Sequence, residues 1–218
     1  IVIKRQSQSF LRYEMFKRLN TGGSLLSPQE IRNCSARLFG PEGELFYRTL
    51  VELSTWPSFI STTESLADTD MEKRGREELV LRFFAAKDGH DFYSGHVGDW
   101  LDRYMEAILL KKVEFDSQSE AALFRDVFDT IERALGASAF CKFKDDRATG
   151  GLAPAHYEAI TIAFCRTLGS IRQNSSQAVY DAVVLAKQSQ NFRNNVGPGA
   201  NNKTKLRGRI QVIEEALS

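Results

Sequence analysis

The chain has 218 residues, 42% of them hydrophobic and 26% charged, with 29 basic against 28 acidic side chains. This length and composition are typical of a folded globular protein of one large or two small domains, which excludes wholesale disorder. The net charge of +1 excludes a uniformly basic nucleic-acid binder but leaves room for local basic faces.

The first predicted element is a short apolar strand. Ile1, Val2 and Ile3 are β-branched residues of the kind found in β-strands. A lone strand is not stable, and little in the rest of the sequence suggests a partner for it. We therefore expect the partner strand to come from a missing segment upstream of Ile1 or from another chain, and we interpret the sequence as the C-terminal part of a longer protein.

Two helices are predicted next. The first covers about ten residues up to Leu19 and ends at the turn of residues 20–23, because glycine adopts the positive φ common at helix ends. The second begins with Ser27 as its N-cap, Pro28 at its first position and Glu30 as the capping-box partner of Ser27.

Apolar residues at spacings of three and four predict further helices. These cover residues 44–56, 69–88, 100–109, 123–135, 154–168, 179–185 and 206–217. The helix at 69–88 is predicted to begin with a capping box of Thr69 and Glu72. Residues 191–205, rich in Asn and Gly, are predicted to be a mobile loop. The predicted fold is mainly α, a multi-helix array whose only strand lies at residues 1–3.

Basic side chains are concentrated near both ends of the chain. Residues 1–40 contain seven basic and two acidic side chains, and residues 189–213 contain five basic and no acidic ones. Such an asymmetry is typical of a surface that binds a nucleotide or a polynucleotide, although solvated helix faces have the same pattern. The candidate DNA-backbone contacts are Lys203, Lys205, Arg207 and Arg209.

Residues 16–33 are the most informative stretch. Consecutive backbone N–H groups of a Gly-rich turn, followed by a helix N-terminus, form a concavity that binds anions. An ordinary helix–helix turn fits the same spacing, with Glu30 acting only as a cap. The candidate nucleotide- or DNA-binding residues of this turn are Arg18, Asn20, Gly22, Gly23 and Arg32.

The pattern Phe-x-Arg-x-Asn-Thr-Gly-Gly-x-x-Leu-x-Pro-x-Glu-x-Arg-Asn at residues 16–33 resembles the second conserved block of the GmrSD-type restriction endonuclease N-terminal domain family. Residues 77–85, residues 139–140, the helix containing His156 and residues 207–210 are similar to the downstream pattern of that family. The resemblance therefore spans essentially the whole chain.

The resemblance implies a ParB/sulfiredoxin-like α+β domain, with residues 1–40 as its trailing part and residues 41–218 as a helical domain. It also implies part of a bacterial defence protein that binds or hydrolyses an NTP, with Mg²⁺ as the accompanying ion, and that recognises foreign or modified DNA. By this resemblance Arg18, Asn20, Thr21, Gly22, Gly23, Arg32 and Asn33 line the nucleotide or DNA pocket, and Glu30 is the candidate catalytic residue.

The sequence departs from the family pattern in two places. The first block of the family, Asp-Gly-Gln-Gln-Arg, is absent, and no HNH nuclease motif follows at the C-terminus. We therefore expect this chain by itself to be inactive. The alternative is a helical DNA-binding or partner-docking module without catalysis.

The remaining candidates are weaker. Asp88, His90, Asp91 and His96 are of metal-ligand type, but loops between helices are rich in such residues, and we predict no metal site. His156 is predicted to be a polar cap at the start of its helix. The three cysteines are widely spaced, and no apolar run approaches the roughly 18 residues of a membrane span, so we expect a cytoplasmic protein with free thiols and no membrane contact.

Overall fold

The structure is a computed structural model that describes residue 15 and residues 26–144, 147–197 and 199–218. The predicted strand at residues 1–3 and the turn at residues 20–23 lie outside the described residues, as does all of the first predicted helix except Met15. The described part contains eleven α-helices, and the mainly α prediction is confirmed. They are α1 (Pro28–Arg37), α2 (Gly40–Ser54), α3 (Pro57–Thr62), α4 (Asp68–Glu72), α5 (Gly75–Asp88), α6 (Val97–Leu109), α7 (Ser117–Leu135), α8 (Pro154–Ile171), α9 (Ser176–Gln188), α10 (Gln190–Val196) and α11 (Lys203–Leu217).

Helices α5 and α8 form the centre of the fold and are buried along most of their length. The hydroxyl group of Tyr157 in α8 donates a hydrogen bond to the carbonyl oxygen of Leu79 in α5 at 2.8 Å. The ring of Phe83 in α5 meets the ring of Phe124 in α7 edge to face, with 5.3 Å between centroids. A helix that is buried around most of its circumference is stable only when other helices cover it, and here α2, α6, α7 and α11 do so.

A β-hairpin of two three-residue strands connects α7 to α8. Strand β1 (Lys142–Lys144) pairs antiparallel with β2 (Arg147–Thr149), with Lys142 opposite Thr149. The prediction that the only strand lies at residues 1–3 is therefore wrong. Strands this short contain too few residues to show a two-residue hydrophobic period, and most of their side chains are exposed.

The predicted helix at residues 69–88 is two helices. Helix α4 ends at Glu72, Arg74 adopts a left-handed conformation with φ of 62°, and α5 begins at Gly75. A Cβ atom at position 75 would lie 2.5 Å from the carbonyl oxygen of Asp70, so the close approach of the two helices requires glycine. The capping box predicted at Thr69 is also wrong, because the N-cap of α4 is Ala67.

The predicted mobile loop at residues 191–205 is partly helical. The hydroxyl group of Ser189 caps α10 by accepting a hydrogen bond from the backbone N–H of Phe192 at 3.1 Å. The side chain of Phe192 is fully buried and holds α10 against the core. Asn202 caps α11, which begins at Lys203 rather than at the predicted residue 206.

Within the described ranges, no helix combines the length and the apolar character needed to cross a membrane.

Candidate functional site

The candidate residue Glu30 belongs to the capping box at the start of α1. Its carboxylate accepts a hydrogen bond from the backbone N–H of Ser27 at 2.8 Å, and the hydroxyl group of Ser27 accepts one from the backbone N–H of Glu30 at 3.3 Å. The predicted capping box is therefore confirmed. The hydrogen bond from the Ser27 backbone lowers the pKa of Glu30, which makes this carboxylate a weak proton acceptor at neutral pH.

Arg32 is the residue that attaches α1 to the rest of the molecule. Its side chain is only 2% exposed, and its guanidinium group contacts the carboxylates of Glu78 in α5 and Asp102 in α6, both at 2.8 Å. It also donates to Gln29 at 3.0 Å and to the carbonyl oxygen of Gly98 at 3.3 Å. A guanidinium group bound on all these sides positions α1 and has almost no exposed surface left for a ligand.

Asn33 belongs to the same network of polar contacts between α1 and α5. Its side-chain amide donates to the carboxylate of Glu77 in α5 and accepts from Gln29 at 2.9 Å. We call the set Gln29, Arg32, Asn33, Glu77, Glu78 and Asp102 the α1 junction. Through it, the residues that follow the Gly-rich turn are fixed on the helical array.

A cavity of about 350 Å³ lies at the N-terminal end of α1. Ser27 and Pro28 line it together with Lys73, Glu78 and Arg82. The predicted site residues Arg18, Asn20, Thr21, Gly22 and Gly23 lie outside the described residues.

Arg209 is buried in an ion-paired cluster rather than on the surface. The carboxylate of Glu158 in α8 contacts Arg82 of α5 at 2.6 Å on one oxygen and Arg209 of α11 on the other. Burial by itself raises the pKa of Glu158, but the two guanidinium groups outweigh it and hold the pKa below its ordinary value. We call these three residues the Arg–Glu–Arg cluster. Sequence reasoning missed it, because residues 82, 158 and 209 are far apart in the chain.

The other three basic residues of the C-terminal segment have different environments. Lys203 and Arg207 are exposed, whereas Lys205 is half-buried. The reason is the helical period, because residues four apart lie on one face and residues two apart lie on opposite faces. With Arg209 buried at 1% exposure, its guanidinium group is not available to a phosphate backbone, and the surface that remains for such a contact is the face of Lys203 and Arg207.

Two weaker candidates add no chemistry to these sites. Across residues 26–144, 147–197 and 199–218, no group of three or more His, Cys, Asp or Glu side chains is arranged to hold a metal ion. A cavity of about 570 Å³ lies between α2 and the end of α6 and is lined mainly by apolar side chains such as Phe46 and Ile108. None of the predicted site residues lines it.

Comparison of the chain with protein-family models, with curated proteins and with solved structures finds no match in any of the three. A function for the chain is therefore argued from its residues and their geometry.

Proposed function

We propose that this chain is part of a restriction-type defence protein of bacteria that binds or hydrolyses an NTP and recognises foreign or modified DNA. The resemblance of residues 16–33 to the GmrSD-type family supports the proposal. The observation that carries it is the α1 junction, which fixes the second half of that block beside a cavity whose charged lining is Lys73, Arg82, Asp70 and Glu78.

The start of α1 and Lys73 are the parts of the cavity that suit a phosphate group. Arg82 is paired with Glu158 and Glu78 with Arg32, and Asp70 also lines the cavity. In this arrangement Arg32 and Asn33 position the start of α1, and Asn20 and the glycines that follow it contact the nucleotide. Glu30 contributes by holding the first turn in place, since its carboxylate is bound by Ser27.

The test is a calorimetric titration of NTP, with Mg²⁺, into the natural full-length protein and into its Asn20→Ala variant. We expect at least about a tenfold weaker affinity in the variant, because a polar contact to an anion contributes about 1.5–3 kcal/mol. Asn194→Ala, at an exposed asparagine of α10, is the matched control and should bind as the wild type does. Equal binding by the Asn20→Ala variant and the wild type would contradict the nucleotide pocket.

Measurements of DNA binding and NTP turnover in the full-length protein distinguish the alternative, a helical DNA-binding module without catalysis. The exposed face of Lys203 and Arg207 is the observation that favours it. We expect such a module to bind DNA more weakly as the salt concentration rises. Changing both residues to Ala should reduce the slope of log K against log salt concentration by about 0.9 for each phosphate that is no longer neutralised. It shows no NTP turnover in the full-length protein, whereas the proposed function requires NTP binding that depends on Asn20.

A further inference from the structure

A second cavity, of about 430 Å³, lies between the hairpin and the start of α8. Lys142 and Thr149 from the hairpin, Gly151 from the connection, His156 from α8 and Val196 from α10 are among the residues that line it. Its volume is within the range of about 300–1,000 Å³ that is usual for small-molecule sites. None of these residues belongs to the block at residues 16–33.

One wall of this cavity is the N-terminus of α8, a helix of 18 residues. The N-cap residue is Ala153, whose side chain cannot accept a hydrogen bond from the first turn, and Pro154 occupies the first helical position. The backbone N–H groups at a helix N-terminus lack partners within the helix and carry a partial positive charge. In α8 Pro154 has no N–H group, and the N–H of His156 donates to the carbonyl oxygen of Ala153 at 2.9 Å. The N–H group of Ala155 therefore remains for an anion, and no capping side chain is present to accept from it.

His156 supplies the second observation that points to a ligand. The predicted role of this residue as a polar cap is not seen, because α8 has no side-chain cap. The imidazole is 4% exposed, packs edge to face on Phe192 at 5.0 Å, and its Nδ1 has no hydrogen-bond partner among the described residues. A buried polar atom without a partner is costly in a folded protein, and a bound group that hydrogen-bonds with it removes that cost.

Basic side chains act electrostatically on this imidazole. Burial, together with Lys187, Lys142 and Arg209, lowers the pKa of His156 to about 3. Glu158 neutralises Arg209. The amino group of Lys187, whose own pKa is lowered by burial to about 7, donates to the carbonyl oxygens of Ala139 and Cys141 at 2.7 and 3.0 Å and lies over the Phe143 ring. Asp145 and Asp146, at the hairpin turn, lie outside the described residues. Of the three cationic side chains, only Lys142 lines the cavity.

We propose that this cavity binds the phosphate group of a small phosphate ester, with Lys142, His156 and the first turn of α8 as its contacts. Lys142 and the backbone N–H group of Ala155 donate to the phosphate oxygens, and the neutral imidazole donates an N–H from Nδ1. The volume exceeds that of a phosphate ion, which leaves room for the organic group of the ester. The proposal does not depend on the function proposed above. Leu152 and Pro154 border both cavities, but the cationic side chains that line the two are different residues.

The test is NMR of the His156 ring in the full 218-residue chain, with the signal assigned through a His156→Gln variant. The probes are inorganic phosphate, AMP, ribose 5-phosphate and adenosine. We expect a saturable shift of the His156 signal with the three phosphate-bearing probes and none with adenosine. Tighter binding of AMP than of ribose 5-phosphate identifies a nucleotide as the ester, and the reverse order identifies a sugar phosphate.

Lys142→Ala and Lys144→Ala form the matched pair of variants. Both lysines are exposed on β1, but only Lys142 lines the cavity. We expect Lys142→Ala to weaken phosphate binding by about tenfold or more, as the removal of one charge-assisted hydrogen bond predicts, and Lys144→Ala to retain it. No saturable shift with any phosphate-bearing probe, or equal weakening by the two variants, would overturn the proposal. Asn20→Ala should leave these titrations unchanged, which separates this proposal from the first.

Discussion

The ammonium group of Lys187 lies in the interior, against two backbone carbonyls and 4.7 Å from the centre of the Phe143 ring. Burial lowers its pKa from 10.5 to about 7. Below pH 7 the lysine is protonated in both the folded and the unfolded chain. Between pH 7 and 10.5 the unfolded chain binds more protons than the folded chain, so this residue makes the protein more stable as the pH rises through that window.

This linkage predicts the behaviour of Lys187→Met. The free energy of unfolding of the wild type minus that of the variant should increase between about pH 7 and pH 10 by a few kcal/mol, because each unit of pKa shift corresponds to about 1.4 kcal/mol. Urea denaturation at a series of pH values measures it. Lys111→Met, at a lysine that is 73% exposed, is the control and should give a difference without this slope. A flat difference for Lys187→Met would contradict the buried environment described for its ammonium group.

At the level of single residues, the sequence predicted the capping side chains of α1 correctly but did not predict the buried arginines. Ser27, Pro28 and Glu30 occupy the predicted positions because a capping box depends on residues within one turn. Arg32 and Arg209 look like ordinary surface arginines in the sequence, yet their partners come from other helices. The environment of a charge depends on what folds against it, which local spacing does not contain.

Helix α1 is amphipathic in an unusual sense, since the face that it buries is mostly polar. Gln29, Arg32 and Ser35 are all buried on that face. An isolated helix of ten residues is marginal in water, so α1 depends on its contacts with α2, α5 and α6. The α1 junction therefore decides whether α1 is held on the helical array.

Arg32→Met should detach α1 and lower the free energy of unfolding by about 3 kcal/mol, because the carboxylates of Glu78 and Asp102 lose their shared partner. Hydrogen exchange of the α1 amides measures the detachment, and urea denaturation measures the stability. Arg37→Met removes an exposed arginine of the same helix, which pairs with Glu44, and should cost less than about 1 kcal/mol. Similar exchange in the two variants would argue against a structural role of the junction.

Elements differ in how far the sequence predicts them. The long helices α7 and α8 follow from apolar spacing, and Pro154 marks the start of α8 correctly. The break between α4 and α5 does not follow, because it depends on the approach of Gly75 to the backbone of Asp70. The hairpin was missed because each strand has only three residues.

At the level of the whole molecule, the Arg–Glu–Arg cluster connects three helices that are distant in sequence. Glu158 lies at its centre in α8, with Arg82 in α5 and Arg209 in α11. Helix α11 ends the described chain, and its packing on α8 is the most extensive helix–helix interface of the described part. The cluster therefore fixes the C-terminal helix onto the central one.

Glu158→Gln should lower the free energy of unfolding by about 3–5 kcal/mol, because it leaves two buried guanidinium groups without a counter-ion. Urea denaturation followed by both circular dichroism and tryptophan fluorescence measures this. Glu214→Gln removes the partner of Arg166 in a pair that is partly exposed, and the expected loss of stability there is below about 1 kcal/mol. Equal losses for the two variants would be inconsistent with a buried cluster.

The sequence by itself determined the helical class, the position of most helices and the capping box that begins α1, because all of these depend on residues within one or two turns of each other. Only the tertiary structure decided that Arg32 and Arg209 are buried, that Lys203 and Arg207 share an exposed face, and that His156, Lys142 and the start of α8 surround one cavity. These are properties of contacts between distant segments. The physical reason is that burial and charge pairing are set by which helices pack together, and hydrophobic periodicity tells which side of a helix is covered but not by what.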